Sequence, residues 1–152
     1  MASLNDVAAY IVEKAGPMTA MKFQKLAYYS QAWHAVWDGE VLFNSEIQAW
    51  RNGPVCPELY EQHRGRFEIS SWPAGHSASL VNNEKETIDA IVRTYGHLTA
   101  QQLSDLTHSE DPWKNARAGL DPSAISRTPI SIASMEEYYG SLGADAIDVE
   151  PF

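Results

Sequence analysis

The run from Pro17 to Gly39 constrains this chain more than any other stretch. It reads as one long helix with a clear start and stop. Thr19 suits the N-cap, because its hydroxyl accepts a free N–H of the first turn. Met18 before the cap and Phe23 beyond it can close a hydrophobic staple. Gly39 after Asp38 supplies a stop. Phe23, Leu26, Ser30, Trp33 and Trp37 fall on one stripe at helical spacing, with Tyr29 and Val36 at its edges, and an aromatic stripe of this kind is expected in a core. Lys22, Gln24, Lys25, Gln31, His34 and Asp38 take the other faces. Residues of these types are expected to be solvated and so open to a partner.

At 152 residues the chain suits one domain with a real core. Its formal net charge of -9 disfavours the phosphate backbone of nucleic acid and favours a basic or membrane-active protein partner. Cys56 is the one cysteine, so no disulfide can close within the chain, which fits a reducing cytoplasm. No apolar run approaches the roughly twenty residues of a membrane span. Met1 to Asp6 lack the basic and apolar regions of a signal peptide.

Before the long helix, Leu4, Val7, Ala8, Ile11, Val12 and Ala15 recur at helical spacing, with Ser3 as N-cap and Gly16-Pro17 as stop. The two helices would form a tight helix–turn–helix pair, the shape behind a rival reading as a transcriptional regulator. Glu46 to Arg51 alternates polar and apolar, like a short strand or a helical turn. Asn52-Gly53-Pro54 is a turn signal in which Gly53 takes a positive φ. Pro57 opens a helix to about Arg64. Phe67 to Ile69 is expected to pair with the 46–51 strand, and 70–79 to be a loop. Asn82 or Asn83 caps a helix ending at Gly96, and Thr99 with Gln102 forms a capping box. Asp111 caps the helix that Pro112 and Trp113 begin. Pro129 to Ile132 is extended, and Ser134 with Glu137 forms a second box leading to Leu142. The expected fold is mainly α, a single-domain bundle of about six helices with one small antiparallel β element. It divides into a helical domain, 1–142, and an acidic tail, 143–152, holding Asp145, Asp148 and Glu150.

Little in the chain suggests catalysis. The five histidines form no His-x-x-x-His pair, so neither a metal nor another cofactor is expected. His108, Glu110 and Asp111 lie together, but read more simply as a helix end followed by a cap. Cys56 and His63 could be argued as a nucleophile and base, with a helix N-terminus lowering the thiol pKa. The simpler reading is a small apolar filler before a helix. No Gly-x-Ser-x-Gly elbow or phosphate loop is present. Glu84, Glu86, Glu136 and Glu137 sit at helix starts, where they favour the macrodipole.

Binding is better represented. Lys22 and Lys25 at i and i+3, with Tyr28 and Tyr29, could form a positive aromatic patch in an otherwise acidic protein. Trp50 and Arg51 beside the Gly53-Pro54 turn could present an aromatic anchor, since Trp, Tyr and Arg dominate interface energetics. Trp72, in a Ser-, Pro- and Gly-containing loop, is a further candidate if exposed. Trp113 reads as core.

Three ordered blocks carry a family resemblance. The first runs from Met21-Lys22-Phe23-Gln24-Lys25-Leu26 through Tyr28-Tyr29 to Gln31-Ala32-Trp33. The second is Ala49-Trp50 with Gly53-Pro54-Val55 and Pro57-Glu58-Leu59-Tyr60. The third is Leu103 to His108 with Pro112-Trp113. Together they resemble the Panacea domain, a SocA-like, phage-associated family, over roughly Leu4 to Leu142. The family more often has Leu where Phe23 sits and an aliphatic residue where Cys56 sits. The resemblance implies motif or structural roles for Thr19, Gln24, Trp33, Gly53, Pro54, Pro57, Tyr60, His108, Pro112 and Trp113. It also implies a non-enzymatic antitoxin that neutralises the toxin of an adjacent gene by direct binding. The family pairs with many unrelated toxins, so the resemblance does not name this one. It also allows an adaptor that delivers the toxin to a cytosolic protease.

Overall fold

The structure is a computed structural model and describes residues 1–143. The acidic tail expected beyond Gly143 lies outside the described residues. Among the described residues, six helices and five short strands are arranged about one long central helix. In chain order they are α1 (Leu4–Ala15), β1 (Met18–Thr19), α2 (Ala20–Asp38), β2 (Ile47–Trp50), β3 (Gly53–Val55), α3 (Pro57–His63), β4 (Glu68–Ile69), α4 (Asn82–Tyr95), α5 (Ala100–His108), α6 (Asp111–Ala116), β5 (Pro129–Ile130) and α7 (Ile132–Leu142). A 3-10 turn at Ser77–Ser79 lies before α4. The mainly α fold with a small antiparallel sheet is the one expected.

Thr19 caps α2 as read from the sequence, its hydroxyl accepting from the Lys22 N–H at 3.2 Å, and Gly39 ends it in the left-handed conformation. The expectation of solvated polar faces holds for Asp38, which is exposed, and is overturned for Gln24, Lys25, Gln31 and His34. Every residue from Phe23 to Ala35 is buried, including Gln24, Lys25, Gln31 and His34. Helices α1, α3, α4, α5 and α7 and strands β1, β3 and β4 all pack on α2, so no face remains for water. An apolar stripe marks which face is buried first, but it cannot show that neighbours also close over the polar faces.

Strands β3, β2 and β5 form an antiparallel sheet in that order, with Trp50 opposite Gly53 across a turn at Arg51 and Asn52. Pro54 is tolerated because β3 is an edge strand. Strand β4 pairs with β1, Met18 opposite Ile69, and not with the 46–51 strand as expected. The reason lies at the start of α2, whose first amides lack helical acceptors. The Ala20 N–H donates to the Phe67 carbonyl at 2.8 Å, which draws the 67–69 segment there.

Helix starts differ in three other places. Val81 occupies the N-cap position of α4, its N–H donating to Glu84 at 2.9 Å. Ser131, and not Ser134, caps α7, which therefore begins at Ile132. Glu110, and not Asp111, sits at the N-cap of α6, yet its carboxyl makes no cap bond because it turns into the core.

There Glu110 joins α6 to α2 and α7. Its Oε1 accepts from the Tyr29 hydroxyl at 2.7 Å and from the Tyr139 hydroxyl at 2.8 Å. The Tyr28 and Tyr139 hydroxyls lie 3.0 Å apart. Tyr29 stacks on Tyr95 at 4.1 Å, and the Trp33 indole donates to the Tyr95 hydroxyl at 3.1 Å. Burial raises the Glu110 pKa, against the two phenolic donors that favour the carboxylate. Tyr139→Phe deletes the hydroxyl shared by Glu110 and Tyr28 and leaves buried polar atoms short of partners. A loss of about 1–3 kcal/mol is expected in urea unfolding. An unfolding midpoint equal to that of the parent would show that this network contributes nothing.

Candidate functional site

The three sequence blocks converge on one place, the first turns of α2. Gln24 holds the start of α3. Its Oε1 accepts from the Cys56 N–H at 2.9 Å, and its Nε2 donates to the Cys56 carbonyl at 3.3 Å and to His63 Nε2 at 2.9 Å. That last bond requires a neutral His63 with Nε2 as acceptor, in keeping with burial lowering its pKa. Pro57 stands in the first turn of α3, where its missing N–H costs nothing.

Lys25, one residue on, is 1% exposed and runs beneath β3. Among the described residues its Nζ has one acceptor, the Pro54 carbonyl, at 3.3 Å. Gly53 makes room for it. A Cβ at Gly53, whose φ is +123°, would stand 2.4 Å from Lys25 Cε and 3.1 Å from Thr107 Oγ1. The conformation and the space thus both require glycine. The third block closes over the same hairpin. The Ser104 hydroxyl donates to the Asn52 carbonyl at 2.7 Å, and the Trp113 indole donates to the Trp50 carbonyl at 2.8 Å. His108 stacks on Trp113 at 3.9 Å. Arg117, which the sequence reading passed over, is buried. It donates to the Ala49 carbonyl at 3.0 Å and the Ala124 carbonyl at 2.6 Å, fastening the 121–128 connector to the sheet. A buried arginine among carbonyls leaves no periodic trace in the sequence.

Above Lys25 a groove of about 410 Å³ opens between α2, the β2–β3 hairpin, α3 and the connector. Trp50 and Tyr60 form an aromatic wall, their rings 5.1 Å apart and edge to face at 67°. Arg127 lies over the Trp50 ring at 5.2 Å, and Arg51 is exposed at the turn. Ile125, also on the wall, is 84% exposed. Among the described residues no Asp or Glu lines the groove.

The residues singled out for binding therefore divide. Lys25, Trp50 and Arg51 come together here, with Tyr60 and Gln24 from the motif set. Tyr28 and Tyr29 do not: both are buried in the Glu110 network. Lys22 points away and donates to the Gly96 carbonyl, tying α2 to the end of α4. Trp72 is 6% exposed, packs on Phe23 at 5.1 Å and donates to Asn5 at 3.0 Å, so it is core and offers no surface. The loop around it is held by Gly75, whose Cα approaches the α1 backbone so closely that a Cβ would meet the Asn5 carbonyl oxygen at 1.9 Å.

The nucleophile idea also meets the structure. Cys56 is buried and its thiol pKa is pushed up to about 11 by desolvation, which outweighs the two backbone N–H groups at the start of α3. His108, Glu110 and Asp111 do not converge: among the described residues no group of three His, Cys, Asp or Glu side chains is placed to hold a metal. Helix α2 is enclosed, so it cannot enter a DNA groove as a recognition helix. Among the described residues no helix is long and apolar enough to cross a membrane.

Burial lowers the Lys25 pKa from its ordinary 10.5 to about 8. A depressed base contributes stability that is fully present above 10.5 and is lost as pH falls toward about 8, where the ammonium must be carried inside. The loss amounts to about 3 kcal/mol. Lys25→Met removes this dependence. Its stability relative to the parent is expected to rise by about that amount between pH 10.5 and 8 and to level off below. Parallel stability curves for the two proteins across this range would contradict the buried cation.

No curated protein and no solved structure matches the chain. A family model, that of the antitoxin SocA-like, Panacea domain, matches residues 23–114, which hold α2, the hairpin, α3 and the Trp113 layer. The match covers more than half of the chain and takes in the three blocks that meet at the groove except Met21 and Lys22, so the chain belongs to the antitoxin SocA-like, Panacea domain family.

Proposed function

We propose that the protein is an antitoxin that neutralises a cognate toxin, the product of the neighbouring gene, by binding it directly in the cytoplasm, with the groove above Lys25 as part of the contact. The observation that carries this reading is that groove. It lies chiefly within the family-matched residues and combines an aromatic wall, an exposed apolar side chain and three cations. Aromatic and arginine side chains of this kind are those that anchor interfaces. Neutralisation by binding needs a complementary surface that covers the working face of the toxin, and no step of catalysis. The acidic charge of the whole protein would speed encounter with a basic or membrane-active partner.

Co-expression with the adjacent reading frame tests the reading. The neighbour alone should arrest growth, and the pair should grow and co-purify as a complex. Toxin abundance should be the same with and without cytosolic proteases, which separates blocking from delivery for degradation. A harmless neighbour, or rescue without a complex, would overturn direct neutralisation.

A further inference from the structure

The groove is positively charged in a protein whose formal net charge is -9. Lys25, Arg51 and Arg127 line it and, among the described residues, no acidic side chain does. Among the described residues, none of the three forms an ion pair. The three cations also differ in depth. Arg51 and Arg127 are exposed at the rim, whereas Lys25 is enclosed at the floor with one long hydrogen bond to a carbonyl. An ammonium carries three donors, so among the described residues two N–H groups of Lys25 have no acceptor. Burying a cation this poorly satisfied is unfavourable unless a counter-charge arrives.

The apolar part of the surface is equally specific. Ile125 is on the groove wall beside Trp50, and Phe67 is 82% exposed with its backbone fastened to Ala20, another lining residue. A ligand filling this site therefore has a compact anionic tip and apolar flanks. A nucleic acid would bring its chain of phosphates against the acidic remainder of the protein, which repels it. A carboxylate on a protein segment satisfies the floor without that penalty, and about 410 Å³ holds a side chain or two, not a folded element.

Resting on the antitoxin reading, we propose that the groove takes an Asp or Glu side chain of the bound toxin. It reaches the Lys25 ammonium between Arg51 and Arg127, with a neighbouring apolar residue against Trp50 and Ile125. The rim arginines draw the segment in, and the enclosed lysine selects for an anion small enough to pass the aromatic wall. Because Lys25 is 1% exposed, this contact requires the groove-lining side chains to shift, Arg127 leaving its place over the Trp50 ring to make a bidentate bond to the incoming carboxylate.

The test is titration of the purified toxin with the full-length antitoxin and its variants. Arg51→Glu and Arg127→Glu alter exposed side chains, so the fold is preserved, and each is expected to weaken binding at least about tenfold. Lys25→Met is expected to weaken it by about tenfold or more while staying folded by circular dichroism. Lys14→Glu, at an exposed position on α1, should bind within about twofold of the parent. A toxin variant with one Asp or Glu changed to Lys should lose binding to the parent and regain it with Arg127→Glu. If the three groove variants bind as the parent does while the parent still neutralises, the carboxylate anchor is wrong and the antitoxin reading stands. If the parent binds no toxin, both fall. If the groove variants lose binding to a nucleotide or oligonucleotide and not to the toxin, the ligand is a phosphate and the proposal is overturned.

Discussion

A helix enclosed on every side has no water to satisfy its polar side chains, so each must meet a partner on whatever packs against it. In α2 this requirement fixes the surroundings one element at a time. Gln24 takes the start of α3, Lys25 the edge strand β3, Tyr29 the start of α6, and Tyr28 reaches α7. Gln31 takes the 42–43 segment, its Oε1 accepting from the Leu42 N–H at 2.8 Å and its Nε2 donating to the Phe43 carbonyl at 2.7 Å. His34 bonds Thr87 of α4 at 2.7 Å, and Trp33 bonds Tyr95 at the end of the same helix. Apolar packing alone would let these elements slide over a smooth helix. The polar bonds fix their register, because a shifted neighbour would leave a buried donor or acceptor unmade.

One of these bonds differs from the rest. Gln24, Gln31 and Tyr29 are matched by good acceptors or donors, whereas Lys25 brings a charge into the interior for one long bond. The cost is borne where Gly53 gives up a side chain to admit it. It falls beneath the groove, within the matched region of an antitoxin family. Residues that cost stability are commonly retained where function needs them.

Much of the scaffold was legible in local chemistry. The Thr19 cap, the Thr99–Gln102 box, the Gly53 turn and the Pro57 helix start depend on neighbours in sequence, and the structure has each of them. The Val81 and Ser131 caps were misread locally, but the larger misreadings share one cause, a long-range partner. Glu68–Ile69 pairs with β1 because the first amides of α2 need an acceptor. Glu110 stands at the N-cap position read for Asp111, and it turns inward because two tyrosines from other helices need its carboxylate. Lys25, Gln31 and His34 looked solvated because their types usually are, and only tertiary packing reveals that they are not. For the site, Trp50, Arg51 and Lys25 were singled out from the sequence and do meet. Arg127 and Ile125 were missed, since a connector outside the three blocks brings them to the hairpin.

Amide hydrogen exchange of the full chain, alone and with its toxin, tests the central claim most directly. If the partner docks in the groove above Lys25, protection should increase at the hairpin turn, along α3 near Tyr60 and in the connector around Arg127. Exchange on the outer face of α1 and α4 should be unchanged. Protection confined to α1 and α4, with the hairpin and connector exchanging as in the free protein, would place the interface elsewhere and contradict the account.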